Sequence, residues 1–267
     1  MKTVAVHSVG ELLDSITPQE PDQASGRLRQ NSVYRGATDP RIGLLTGLDR
    51  LGGADPPHSK RHLEEHLLRN FIRYGHPFLG EQRGDLWEVM IAAEHHGLPT
   101  RLLDWTLSPL IAAHFATLGQ ESPGDRVIWK LDWQKVHRGF GLREVAFLLQ
   151  DLDSVLKERG LAESWGFLAD DSGPGEEFVC LLDPPALTPR LQVQSGAFTL
   201  ASSKDKSLET ILTDAGLADA LEQFVIPAQR VGFLRDQLDL CAVDERHLFP
   251  GLDGVAAVLR RYYSSSR

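Results

Sequence analysis

Between Ala93 and Ala116 the chain runs AEHHGLPTRLLDWTLSPLIAAHFA, and this stretch leaves few options for the fold. Gly97 and Pro99 stop the helix before them, glycine by opening left-handed backbone and proline by removing a donor and crowding the preceding turn. Ser108 followed by Pro109 starts another helix, with the hydroxyl as N-cap and the proline at the first helical position. The residues between, PTRLLDW, are an apolar extended run. It is apolar enough to be core, yet it carries Arg101 and Asp104. Buried charges need partners, because an unpaired one costs several kcal/mol. Two solutions follow. An Arg101–Asp104 ion pair fixes the turn while His95 caps the helix before it, or His95, His96, Arg101 and Asp104 are gathered at the turn as a site.

The rest of the chain supplies strands and helices in an irregular order. KTVAV, SVYRGA (32–37), DRVIWKLD (125–132), FVCLLD (178–183), PRLQVQ (189–194), GAFTLA (196–201) and EQFVIP are expected as strands, with Ser195-Gly196 a bend or bulge. VGELLDSI, SKRHLEEHLLRNFIRYG (59–75), LWEVMIAAEHHG (86–97), PLIAAHFATL, VAFLLQDLDSVLKERG (145–160), SLETILTDAG, PAQRVGFLRDQLDLC and LDGVAAVLRRYY are expected as helices. Residues 38–57 and 164–177, rich in glycine and turn formers, are expected as loops. There is no regular βαβ rhythm and no internal repeat. The expectation is a single α+β domain over residues 1–267, with its core at about 10–262.

Charge and cysteine usage narrow the setting. A net charge of −9 argues against a surface built for unaided binding to nucleic acid or anionic membrane, leaving room for a local basic cleft. Cys180 and Cys241 sit in apolar surroundings without ligand spacing, which fits a reduced cytoplasm. No secretory leader and no run of about 20 apolar residues is evident, so no membrane role is expected.

Among short motifs, HLEEH matches the inverted zinc pattern, with His62 and His66 one turn apart, Glu65 as base, and His58 extending the row. The flanking mixed charges read better as a solvated helix face, and no metal is expected. No phosphate-cradling glycine motif and no nucleophile elbow occurs.

The segment AEHHGLPTRLLDWTLSP resembles the central signature of the FRG domain family, A-Q-H-[YH]-G-L-P-T-R-L-L-D-W-T-x-S-P. VYRGA matches the family's aromatic-Arg-Gly motif through Tyr34, Arg35 and Gly36. VQSGAF matches a Q-x-G-x-F element through Gln194, Gly196 and Phe198, and LFPGLDGVAAVLRR resembles the family's ending. Glu94 stands where glutamine is usual.

The layout is in turn similar to ADP-ribosyltransferases of the Arg–Ser–Glu type. That resemblance implies a split mixed or antiparallel sheet with surrounding helices. It implies an arginine on a first core strand (Arg35), a Ser/Thr strand feeding an A-x-x-F-A helix (Ala112, Phe115, Ala116), and a late-strand residue at Gln194. NAD is then the co-substrate. Tyr34, Arg35, Gly36, Thr100, Arg101 and Ser108 are its expected binding residues, and Gln194, His95 and Asp104 the expected catalytic ones. An arginine fork suits a pyrophosphate, and a glycine lets a ligand approach the backbone. His95 or Asp104 would take a proton from the acceptor. The implied acceptor is a macromolecule, with DNA or RNA bases included, in a toxin or phage-defence setting with an antitoxin as a further partner. A non-catalytic nucleotide- or phosphate-recognition module is the alternative, and a zinc hydrolase through His62, Glu65 and His66 the third reading. In RLQVQ, alternation puts Gln192 and Gln194 opposite Leu191 and Val193, so Gln194 is expected to face the cleft or solvent.

Overall fold

The computed structural model describes residues 1–18, 20–21, 26–28, 31–52, 60–80, 85–119, 124–169, 177–185, 189–203 and 205–264. Its strands are β1 (Lys2–Ala5), β2 (Ser32–Ala37), β3 (Leu103–Thr106), β4 (Arg126–Asp132), β5 (Val179–Leu182), β6 (Gly196–Ala201) and β7 (Leu221–Ile226). They form one mixed seven-stranded sheet in the order β1-β7-β4-β2-β3-β6-β5. Only β1 and β7 pair in parallel; the other neighbours are antiparallel. The helices are α1 (Val9–Ile16), α2 (Gly47–Leu51), α3 (Lys60–Gly75), α4 (Leu86–His95), α5 (Pro109–Ala116), α6 (Trp133–Gly139) and α7 (Leu152–Glu158). They continue with α8 (Trp165–Ala169), α9 (Pro189–Val193), α10 (Leu208–Asp214), α11 (Val231–Leu240), α12 (Glu245–Leu248) and α13 (Leu252–Tyr262).

Alternation along the strands divides the core. Val33, Leu103, Trp105, Val127, Val179, Leu181 and Ala197 point to one face and share a cluster with α6 and α10. The opposite face carries two separate clusters. Tyr34, Ile128 and Phe224 pack under α1, α5 and α11, while Cys180, Phe198 and Leu200 pack under α4, α7 and α8. Asp104 and Thr106 lie on this second face, on the strand between the two clusters.

That strand is also where the sheet is thinnest. β2 and β3 pair at one position, Tyr34↔Thr106, whereas β2 and β4 pair at every residue from Ser32 to Ala37. Past that pair the two strands part, so backbone groups of β3 need other partners.

Several expectations need correcting. PRLQVQ is not a strand but α9, a single helical turn. Pro189 pre-sets the helical φ at its start, and the Gln194 N–H donates to the Arg190 carbonyl at 3.0 Å. Ser195 then takes a left-handed φ of 46°, which stops the turn and feeds β6. The 38–57 stretch contains α2, started by a capping box between Thr46 and Asp49; its last residues lie outside those described. The 145–160 helix begins only at Leu152, because Phe147 is tied edge-on to β5 by bonds with Leu181 and Asp183. α8 occupies part of the expected 164–177 loop, and α6 and α12 were not expected. Cys180 is buried as expected, but Cys241 is exposed; both are free thiols. No helix among the described residues is long and apolar enough to cross a membrane.

Candidate functional site

A cleft of about 300 Å³ opens where β2 and β3 part. Its floor is backbone and side chain from β2, β3 and β6. Arg50, Phe115 and the α9 turn (Arg190, Leu191) with Gln194 form the walls. Arg35 holds the seam. Its Nη1 donates to the Asp104 carbonyl at 2.8 Å and pairs with the Asp104 carboxylate, satisfying the strand where β2 no longer does. Its buried Nε has no partner among the described residues. Three arginines and one carboxylate line this cleft, in a chain that is net negative. Such a concave positive surface selects anions.

Asp104 opens onto the cleft, with 63% of its side-chain surface accessible. Crowding by protein on its other sides works against ionisation, but the charge and hydrogen bond of Arg35 outweigh it. The carboxyl is held below the usual carboxylate range. Asp104 is therefore a charged partner, poorly suited to taking a proton at neutral pH. Glu94, at the end of α4, differs. Burial pushes its pKa up to about 7; the Thr100 hydroxyl, donating at 2.6 Å, opposes this, and the Asp104 charge reinforces it. Glu94 lines an adjoining groove with Gly47, Leu98 and Pro99, and Arg50 belongs to both spaces.

Gln194 reaches the cleft from the end of α9. Its Nε2 donates to the Leu248 carbonyl at 2.9 Å, and its main-chain carbonyl accepts from Thr106 Oγ1 at 2.7 Å. That fixed amide leaves Oε1 as the atom with spare accepting capacity. Phe115 packs edge-on against Phe249 with ring centroids 6.1 Å apart, and the Arg190 guanidinium lies over Phe249 at 4.9 Å.

Of the residues expected at the site, Tyr34, Arg35, Gly36, Asp104 and Gln194 come together on this cleft. The others are elsewhere. Arg101 is turned inward. Its Nε donates to Glu64 Oε2 at 2.6 Å, its backbone N–H to Glu64 Oε1 at 2.9 Å, and its guanidinium covers Phe167 at 4.5 Å. Neither an Arg101–Asp104 pair nor an Arg101 in the cleft is found. Thr100 is fully buried, bonded to Glu94 and to the Leu102 N–H. Ser108 caps α5, accepting from the Ile111 N–H. His95 is half-buried and does not line the cleft, its pKa lowered by burial and by Arg190 and His96.

Two lining residues do something other than expected. A Cβ on Gly36 would lie 1.9 Å from the Ala112 carbonyl and 2.5 Å from the Ala116 N, so it is α5 that approaches the backbone here. The Tyr34 ring is wholly buried, and burial with the Glu222 charge raises its pKa. In HLEEH, His62 and His66 are exposed, and Glu65 accepts from Arg69 at 2.7 Å. Glu64 is the buried member, and His58 lies outside the described residues. No group of three potential metal ligands occurs among the described residues.

Glu94, Arg50, Phe115 and Arg190 are the site residues that reasoning from sequence did not select. Glu94 carried a signal, an acid where the family signature has an amide. Arg190 was hidden by its assignment to a strand.

Fold and cleft define an α+β arrangement with an arginine-lined cleft at a parting in its sheet. Residues 30–125 match the family model of the FRG domain, and the chain carries an FRG domain over that span. It holds β2, β3 and Arg35, Glu94 and Asp104; Gln194, α9 and the C-terminal helices lie beyond it. No curated protein and no solved structure matches the chain significantly.

Proposed function

We propose that the cleft binds NAD and that the protein transfers its ADP-ribose to a macromolecular acceptor. The observation carrying this reading is the arginine-lined cleft at the β2–β3 parting, with Arg35 at its floor and the Phe115 ring on its wall. In this reading the sheet is a variant of the split ADP-ribosyltransferase sheet. Arg35 and Arg190 bind the pyrophosphate by charge-assisted bonds. Phe115 flanks the departing nicotinamide, and Gln194 Oε1 accepts from a ribose hydroxyl. The C1′–nitrogen bond breaks with its electron pair leaving on nicotinamide, and the acceptor nucleophile bonds to C1′. Glu94 takes the nucleophile's proton, its pKa near neutrality suiting a general base. The adjoining groove with Arg50 is where the acceptor would enter. Incubating the protein with labelled NAD and separate pools of DNA, RNA and protein tests this. Label should pass to one pool and vanish with Arg35→Ala.

A second reading is a non-catalytic module that recognises a nucleotide or phosphate. It is favoured by Gln194, an amide tied to Leu248, where the transferase pattern has glutamate. NAD binding without nicotinamide release or label transfer would select it.

A further inference from the structure

The last helix faces the wrong way for a monomer. Amphipathic helices turn their apolar stripe to the core. In α13 the inward face is Gly254, Ala257, Val258 and Arg261. Gly254 sits so close to α12 that a Cβ would lie 2.1 Å from the Phe249 carbonyl. Arg261 clamps the helix to the domain, with its Nη1 and Nη2 on Asp239 at 2.6 and 2.7 Å and further bonds to Glu245. Small residues and a charged fork thus do the anchoring. The bulky residues point out. Leu252 is 86% exposed and Tyr262 75%, with Val255, Leu259 and Tyr263 also open to solvent.

Leu252, Val255, Leu259 and Tyr262 follow three-four-three spacing, the a/d seam of paired helices. We propose that this face pairs with α13 of a second copy, antiparallel, about a two-fold axis. The stripe is self-complementary when reversed: Leu252 meets Tyr262, and Val255 meets Leu259. The contact is isologous, each copy presenting the same face. With Tyr263, the stripe exposes on the order of 700 Å² per chain, close to the roughly 800 Å² per partner of a standard interface. This inference is independent of what the cleft binds.

Sedimentation equilibrium and light scattering of the full chain test it. The expected result is a concentration-dependent dimer, dissociated by Leu259→Asp with circular dichroism unchanged and the melting temperature equal to that of the parent diluted to monomer. Val255→Asp should dissociate it as well, whereas Asp253→Arg, on the flank away from the seam, should leave it intact. A parent that stays monomeric at every concentration overturns the proposal, including one whose α13 binds a different protein as a monomer. A dimer indifferent to Leu259→Asp overturns it equally.

Discussion

Glu94 illustrates how one side chain sets a pH dependence. Its pKa is raised by burial to about 7 in the folded protein, against an ordinary value of 4.5. The unfolded chain therefore releases this proton first as pH rises, and the folded state loses relative stability between about pH 4.5 and 7. The contribution is fully present below that window and gone above it. Glu94→Gln should match the parent's stability at pH 4 and exceed it at pH 8 by about 2 kcal/mol, read from denaturant melts at both pH values. Equal stability at pH 8 would refute a buried, reluctant carboxylate. In the transferase reading the same variant keeps NAD affinity and loses turnover. Arg101 shows what a single residue can and cannot announce. That Arg101 and Asp104 need partners was legible in the apolar run around them. Their identity was not, because Glu64 comes from 37 residues away and Arg35 from 69. Removing Glu64 leaves Arg101 buried and unpaired. Glu64→Ala should cost about 3–5 kcal/mol in urea denaturation, whereas Glu65→Ala, one position along the same helix, should cost under about 1 kcal/mol.

At the scale of elements, the turn chemistry was legible and short amphipathic patterns were not. Ser108-Pro109 starts α5 as its sequence implies, and the structure adds caps at Asp85, Ser8 and Ser207. RLQVQ alternates well enough for a strand, yet five residues fit either period, and the backbone bonds that decide between them lie in the flanking Pro189 and Ser195. Gly36 on β2 is the converse case, a correct motif with a different cause. The aromatic-Arg-Gly motif needs its glycine because α5 lies against it, and Ala112 and Ala116 in A-x-x-F-A are small for the same contact. Phe115, on another side of that helix, is left to line the cleft. Gly36→Ala would force backbone against backbone. It should destabilise the protein by about 3 kcal/mol or more, at or above the upper end of ordinary overpacking. Ala112→Gly should relieve nothing, since the clash is with the helix carbonyl and not its Cβ. A Gly36→Ala protein with an unchanged thermal midpoint would show that α5 shifts freely, contrary to the close packing of this layer.

The whole molecule is held unevenly across its sheet. One face has a cluster that spans both sides of the β2–β3 parting; the other has two clusters with the cleft between them. Such an arrangement leaves a weak line on one surface, bridged there by Arg35. A ligand in the cleft touches β2, β3, β6 and α9 at once, so its binding energy adds to the stability of the entire chain. At a hundredfold excess over Kd this amounts to about 2.7 kcal/mol. For a chain of this size each kcal/mol moves the midpoint about 2–4 °C, giving a rise of roughly 5–10 °C. A non-hydrolysable NAD analogue should produce that rise in calorimetric scans of the parent. Arg35→Ala should abolish it and lower the unliganded midpoint by about 2–4 °C, because the Asp104 carbonyl loses its donor where the strands part. Arg190→Ala should reduce the shift by about half or more, since its guanidinium reaches the cleft from the opposite wall with no ion pair of its own among the described residues. If the analogue leaves the parent's midpoint unmoved at millimolar concentration, or moves Arg35→Ala equally, the dinucleotide does not bind across the parting.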